Sequence, residues 1–415
     1  MSPTFNGISL DQIDRSLTDA FGRLRVSDSV KNGGFSQDTN LKDRLITEGQ
    51  VSGTGTTSAF DANSSSTALS VTSTNVGKRL LRTQVAGLYQ PGKSLMVQNS
   101  FNFRSSSGTV SWVEKSSVTG SPVETVIAQA SWNVDTMNGN GVSGINLDWT
   151  KSQLTFMSFA WLGVGLVVCG FIVDGKLIIA HIFSHVNILT STNPTYIKTA
   201  RLFPSFSIEQ TSTEIIKEVG YFLGNDGIAL RQRYNRPGTT QSLTAICASI
   251  LTEGVEDQAS ETYAIHRVTA SDFNTSTANN TRALILFRLN PAAINARVKF
   301  INFSSYISSN AFYYTYILRA PDITGYTPTW TSLANTSLQY DLGAPNTLSI
   351  SNYYDVIMDM AGGNSAIESQ SKKDGIFNYL GASFDGTPLI YALAVRCDTA
   401  NETVKTAHLR FAEDI

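Results

Sequence analysis

The chain has 415 residues, with 31 Lys and Arg against 33 Asp and Glu, so its formal net charge is −2. Only 15% of residues are charged, against about 25% in an average soluble protein, while 41% are hydrophobic. That balance argues against a nucleic-acid binder, which needs clustered Lys and Arg. It also excludes disorder throughout, since 21 Phe, 15 Tyr and 5 Trp supply material for a core.

At this length a single core becomes unwieldy, and two domains are expected. Cys169, Cys247 and Cys397 lie far apart and are odd in number, which fits neither a disulfide framework nor a CxxC metal site. The start, Met1-Ser-Pro-Thr-Phe-Asn-Gly, has no basic stretch ahead of an apolar one. No secretory signal is therefore expected, and synthesis in a reducing cytoplasm is.

Residues 1–45 read as an N-terminal arm. Leu10, Ile13, Leu17, Phe21 and Leu24 recur at spacings of 3, 4, 4 and 3, one stripe of a helix, with Ser9 and Gln12 placed as a capping box. Arg15, Arg23 and Arg25 are the nearest approach to a basic cluster. Leu17, Phe21, Arg23, Leu24 and Arg25 are the expected docking residues of this arm.

Residues 46–260 read as a first β-sandwich. In residues 52–75, 13 of 24 positions are Ser or Thr, yet Leu69 and Val71 alternate with small polar residues as in a surface strand. Leu95, Val97, Phe101 and Phe103 share a strand face, and Leu154–Trp161 is apolar on both faces, as in a buried strand. From Ser152 to Val173 no residue is charged, which is long enough to cross a bilayer. Gly163, Gly165 and Gly170 interrupt that run, and Asp174-Gly175 predicts a hairpin turn with its partner strand directly after it, so no membrane span is expected.

The composition turns polar around Leu251–Thr281, and the domain boundary is placed near residue 260. Residues 261–415 read as a second β-sandwich, with strands over Ala283–Leu289, Arg297–Phe303, Phe312–Leu318, Leu389–Arg396 and Val404–Phe411. Ser351–Met360 is the best remaining helix candidate. The fold class is all-β: two sandwiches of jelly-roll or lectin-like type behind an N-terminal arm.

Few patterns carry chemistry. Gly87-Leu-Tyr-Gln-Pro-Gly92-Lys93-Ser94 satisfies the phosphate-loop pattern, but the residues after Ser94 alternate as a strand, whereas phosphate binding of that type needs a helix N-terminus. Pro91-Gly92 reads as a β-turn instead. His181 and His185 read as two histidines on one face of a strand, without the helix and third ligand a metal pair needs. Asp135, Asn138 and Asn140 offer oxygen ligands in a glycine-rich loop but lack the acidic density of a Ca²⁺ site, and read as a turn. Phe312-Tyr-Tyr-Thr-Tyr316 offers a sugar-stacking surface on one face and core on the other. No catalytic, cofactor or metal residues are expected, and the chain is not expected to be an enzyme.

Several segments together resemble a family of virion-associated structural proteins of tailed bacteriophages and some large viruses. They are Asp19-Ala-Phe-Gly-Arg-Leu-Arg-Val-Ser27, Tyr89-Gln-Pro-Gly-Lys-Ser94, Val118-Thr-Gly-Ser-Pro-Val-Glu-Thr125 and Ala130-Ser-Trp-Asn-Val-Asp135. Further on come Gly144-Ile-Asn-Leu-Asp-Trp149, Trp161-Leu-Gly-Val-Gly165, Gly170-Phe-Ile-Val-Asp-Gly-Lys176 with His181 and His185, and Ala400-Asn-Glu-Thr-Val404. Residues Thr192–Gly227 look like an insertion. The resemblance implies a non-enzymatic virion protein, made in the host cytoplasm and placed on the capsid surface as decoration or fibre, or in the tail. The alternative is a receptor-binding, glycan-recognising lectin-like module of a tail fibre. Expected partners are other virion proteins and further copies of the chain, a homo-oligomer such as a trimer, with a host-surface glycan under the alternative. No cofactor, nucleic acid or membrane is expected.

Overall fold

Period-two hydrophobicity broken by Gly, Asn, Asp and Pro turns leaves the chain one economical way to satisfy its backbone, which is antiparallel pairing of sequence neighbours. The computed structural model describes residues 4–5, 8–9, 29–37, 46–71, 75–105, 107–116, 121–223, 229–238, 240–253, 260–268, 274–275, 278–307, 311–319, 323–344, 348, 350–351, 354–362, 366–370 and 379–414. Among these the protein is all-β, every ladder is antiparallel, and the helical content is two 3₁₀ turns, Gln129–Ser131 and Pro291–Ala293. The chain divides into two units, Met1–Asp257 and Gln258–Ile415.

The first unit contains β1 (Thr4–Phe5), β2 (Ile8–Ser9), β3 (Ser29–Ser36), β4 (Ile46–Gly53), β5 (Thr56–Asp61), β6 (Ser66–Val71), β7 (Gly77–Thr83), β8 (Leu95–Asn102) and β9 (Thr109–Ser116). It continues with β10 (Val123–Ala128), β11 (Gln153–Phe159), β12 (Val167–Val173), β13 (Lys176–Phe183), β14 (Phe203–Gln210), β15 (Ile215–Phe222), β16 (Ala229–Arg236) and β17 (Gln241–Glu253). Seven strands form one sheet in the order β10-β9-β16-β15-β14-β7-β4. A second sheet runs β13-β12-β11-β8-β17-β6-β5. The long β17 carries β8 along one side, and β6 then β3 along the other. Side chains from both sheets meet in one core that includes Trp112, Val219 and Tyr234 from the first, and Val97, Phe101, Met157 and Phe171 from the second. Burying each such side chain is worth about 1.5–3 kcal/mol.

The second unit contains β18 (Ser260–Val268), β19 (Asn274–Thr275), β20 (Thr281–Leu289), β21 (Val298–Ile307), β22 (Phe312–Arg319), β23 (Thr331–Ser332), β24 (Leu338–Asp341), β25 (Tyr354–Gly362), β26 (Ala366–Gln370), β27 (Tyr391–Cys397) and β28 (Glu402–Asp414). One sheet runs β18-β28-β21-β26, with β19 also on β28, and the other runs β23-β24-β20-β27-β22-β25. Phe287, Ile317, Leu393, Phe303 and Leu409 meet between them. A second apolar cluster, Leu286, Tyr316, Leu318, Ala392 and Ala394, covers the opposite face of the six-stranded sheet.

Three expectations are revised. Part of the expected arm, Ser29–Ser36, is a strand of the first unit's sheet, and Phe35 is buried in its core. The helix candidate Ser351–Met360 is largely the strand β25, whose ladder with β22 runs from Phe312↔Gly362 to Arg319↔Tyr354. Pairing residue by residue with β22, apart from one bulge between Ile317 and Leu318, is extended backbone with a period of two and not 3.6. His185 does not share a strand face with His181, because β13 ends at Phe183. The expected docking residues Leu17, Phe21, Arg23, Leu24 and Arg25 lie outside the described residues, whereas Ser9 lies in β2, paired with Thr4.

The Asp174-Gly175 hairpin forms as the dipeptide dictates. Both residues have positive φ, +50° and +78°, and Val173↔Lys176, Ile172↔Leu177 and Phe171↔Ile178 pair around them. The uncharged tract Ser152–Val173 supplies all of β11 and all of β12, and among the described residues no helix is long and apolar enough to cross a membrane.

Candidate functional site: the loop end of the first unit

Register places several loops at one end of the first sandwich. Phe159 stands opposite both Leu95 and Val167, and Val167 stands opposite Phe183. The loops 84–94, 160–166 and 184–202 therefore all leave from this end. The first makes a turn at Pro91-Gly92, with Lys93 N–H donating to Gln90 O at 3.1 Å and Gly92 at φ +84°, the conformation a type II turn requires. Lys93 then runs into β8, so the phosphate-loop pattern has no helix behind it.

The other two loops are tied to each other and to the first. Trp161 Nε1 donates to Ile197 O at 2.8 Å, and Tyr196 N–H to Gly163 O at 2.9 Å. Leu162 N–H donates to the Tyr89 hydroxyl at 3.2 Å, and Tyr89 meets the Trp161 ring edge-on at 5.9 Å. Leu162 and Gly163 both have positive φ, which turns the loop tightly enough to leave Leu162 and Val164 facing out. Val186 and Ile188 are also exposed, so the two loops carry an apolar rim.

Beneath that rim sits a buried ionic pair. His185 Nε2 faces both Glu114 oxygens, at 2.9 and 3.0 Å, and its Nδ1 faces Gly165 O at 2.6 Å. Both nitrogens meet acceptors. A neutral imidazole has one N–H and satisfies only one of them, whereas the imidazolium satisfies both. Burial alone would lower the His185 pKa, but the Glu114 hydrogen bond and charge and the Gly165 carbonyl raise it above its ordinary value. The Tyr196 ring stacks on the imidazole, with centroids 3.9 Å apart and planes 11° from parallel. Burial first, then the Glu114 charge, pushes the Cys169 thiol well up, which makes it a packing residue and not a thiolate nucleophile.

His181 has different company. Its Nδ1 accepts from Asn133 N–H at 3.2 Å, and burial lowers its pKa. Asn133 also pairs with Ile182, donating to its carbonyl and accepting from its N–H at 2.9 Å each. The structure thus gives the two histidines separate partners. Among the described residues no group of three His, Cys, Asp or Glu side chains is placed to hold a metal. Asp135 organises the glycine-rich loop as a turn, accepting Met137 N–H at 2.8 Å and Ser143 N–H at 2.6 Å. Trp112, Trp132 and Trp149 all pack around Phe171 at 5.7–5.9 Å.

These contacts join most of the segments quoted for the family resemblance: Tyr89–Ser94, Ala130–Asp135, Gly144–Trp149, Trp161–Gly165, and Gly170–Lys176 with His181 and His185. Tyr89–Ser94 and Trp161–Gly165 lie at this end with His185, and Ala130–Asp135 lies beside it on His181, whereas Trp149 and the Asp174-Gly175 turn lie toward the opposite end of the same sheet. Glu114 and Tyr196 escaped the sequence reading. Glu114 had a signal, since an acid stands on the same strand face as Val110 and Trp112, but Tyr196 in its loop had none.

A second surface lies on the second unit. Tyr313 is core, whereas Tyr314 and Tyr316 share the other face with ring centroids 6.2 Å apart, Tyr314 half-buried and Tyr316 buried within the apolar cluster of that face. On the same sheet Arg288 lies 4.2 Å over the half-buried Trp330 ring and donates twice to Gln339 Oε1.

No protein-family model matches the chain, and no curated protein matches it. Among solved structures, a Bacillus licheniformis β-glucanase is similar over 54% of this chain and 99% of its own, at 10% identity and a TM-score of 0.18. PNGF-II is similar over 80% of this chain and 60% of its own, at 10% identity and a TM-score of 0.13. Likenesses this weak carry no argument about function.

Proposed function

We propose that this chain is a non-enzymatic structural protein of a bacteriophage virion, on the capsid surface or in the tail, assembled from the host cytoplasm onto other virion proteins. One observation carries the reading. Two of the segments that resemble the virion family, Tyr89–Ser94 and Trp161–Gly165, meet with His185 at a single loop-built end, where polar contacts lock three loops and hold Leu162, Val164, Val186 and Ile188 outward. Exposed apolar side chains on rigid loops are the chemistry of a protein–protein contact. The ionisable groups beneath are engaged by one another, which suits a scaffold better than a reaction centre. The expected docking arm, with Leu17, Phe21, Arg23, Leu24 and Arg25, belongs to the same proposal. Deleting residues 1–27 should leave a folded chain that no longer enters particles; incorporation at normal copy number would refute the arm.

Glycan recognition is the second reading, favoured by the half-buried Tyr314 and the Arg288–Trp330 stack. A glycan array probed with the full chain and with Tyr314→Ala separates the readings. Binding lost in the variant supports the lectin reading, and no binding by either chain removes it.

A further inference from the structure

The seven-stranded sheet of the first unit ends in β10, and nothing described pairs with the outer side of that strand. Val123–Val126 are all exposed, in contrast to β4 at the other end of the sheet, where Ile46–Gly49 are buried. Soluble proteins guard free edges with Lys, Pro or a bulge, because unpaired N–H and C=O groups template further strands. This strand has none of these: its six residues pair with β9 without a register shift.

Its single charge is already satisfied. Arg233 grips Glu124 with both terminal nitrogens, at 2.7 and 2.8 Å, and Arg231 and Lys115 add further ion pairs. Burial pushes the Glu124 carboxyl up, but these cations outweigh it and hold the pKa at about 2. The edge therefore presents no uncompensated charge that would repel a copy of itself. At its far end Trp132 Nε1 donates to Ile127 O at 3.1 Å, so the open stretch is Val123–Val126.

From this geometry we infer that β10 pairs with β10 of a second copy of the chain, antiparallel about a two-fold axis, to make one continuous fourteen-stranded sheet from two seven-stranded ones. Keeping each face of the sheet continuous requires residues of the same parity to stand opposite, and of the two central registers, Glu124 on Glu124 or Thr125 on Thr125, the second keeps the two Glu124 carboxylates from facing each other. Thr125 then faces the partner's Thr125, and Glu124 faces the partner's Val126. No like charges meet. The inference stands on the edge alone and is independent of the virion reading; it yields a two-fold dimer where the sequence reading expected a homo-oligomer such as a trimer.

Sedimentation velocity of the full chain across the micromolar range tests it, with Val126→Glu and Val126→Lys alongside. Val126 is 46% exposed, so both variants should melt as the native chain does. The native chain is expected to dimerise. Val126→Glu sets a carboxylate against the partner's Glu124 twice and should weaken the dimer about tenfold or more, whereas Val126→Lys should not. The amides of Val123 and Thr125 should exchange more slowly as concentration rises. A native monomer at every concentration, or an oligomer that Val126→Glu leaves intact, would overturn the inference, as would equal loss in both variants. Any of these would leave the virion proposal standing.

Discussion

Replacing Glu114 by Gln should invert the pH dependence of the first unit's stability. In the native chain the imidazolium of His185 bridges Glu114 and Gly165 O, with both partners' side chains at or below 10% exposure. Because the folded pKa of His185 is raised, its contribution is complete below the ordinary imidazole value of 6.5 and is lost as pH climbs through the raised value. Each unit of elevation is worth about 1.4 kcal/mol. In a unit of this size that corresponds to about 3–6 °C of melting temperature.

A Gln at position 114 can donate its amide N–H to Nε2 of a neutral His185, while Nδ1–H keeps Gly165 O, so the variant stays satisfied without the proton. Burial then acts on His185 against the Gly165 carbonyl alone, its pKa falls, and stability is lost toward acid instead. Cys169, Tyr196 and Tyr89 also lie close, but burial raises all three, which leaves them neutral across this range. Lys217 contributes an opposite slope that is common to both proteins and cancels in their difference. The assay is thermal unfolding of both chains from pH 5 to 9, with imidazole NMR to follow His185. If the two slopes coincide, or the native His185 titrates at or below the ordinary value, the reasoning fails.

Gly175→Val should destabilise by about 1–2 kcal/mol, since a β-branched residue must adopt φ +78°, and urea unfolding reads it directly. Asp135→Ala strips the acceptor from Met137 N–H and Ser143 N–H and should cost about 1–3 kcal/mol, with faster amide exchange at both positions. Lys217 is buried with its Nζ on Phe103 O and Gln241 Oε1, and burial, then the Arg236 and Arg104 charges, lowers its pKa to about 7. Lys217→Met should therefore stabilise by about 2 kcal/mol at pH 6, and the gain should shrink as pH rises above 7, where the native lysine sheds its proton; a gain independent of pH would refute this.

Much of the architecture was legible because it is local. The Asp174-Gly175 turn, the Pro91-Gly92 turn and the alternation through Leu95–Phe103 each dictate their own backbone, and the all-β class comes from their number. The β25 segment misled because Ser351–Met360 also satisfies part of a helical spacing, and only pairing with β22 decides between the periods. The candidate site was legible only in pieces. His185 was visible, but Glu114 lies 71 residues away on a strand of the other sheet. No spacing rule connects them, because the contact is created when the two sheets pack. Ser29–Ser36, with two glycines and a lone Phe35, shows too little alternation to announce a strand, and gains its place from the free length of β17.

The central claim is that the chain is a built-in part of a virion. Quantitative mass spectrometry of gradient-purified particles, set against the lysate they came from, tests it most directly. The chain should be found in intact particles at a fixed ratio to the major capsid protein, unchanged by a further round of purification. Its absence from the particles, or a ratio that falls with each round while the lysate pool stays full, would contradict the claim.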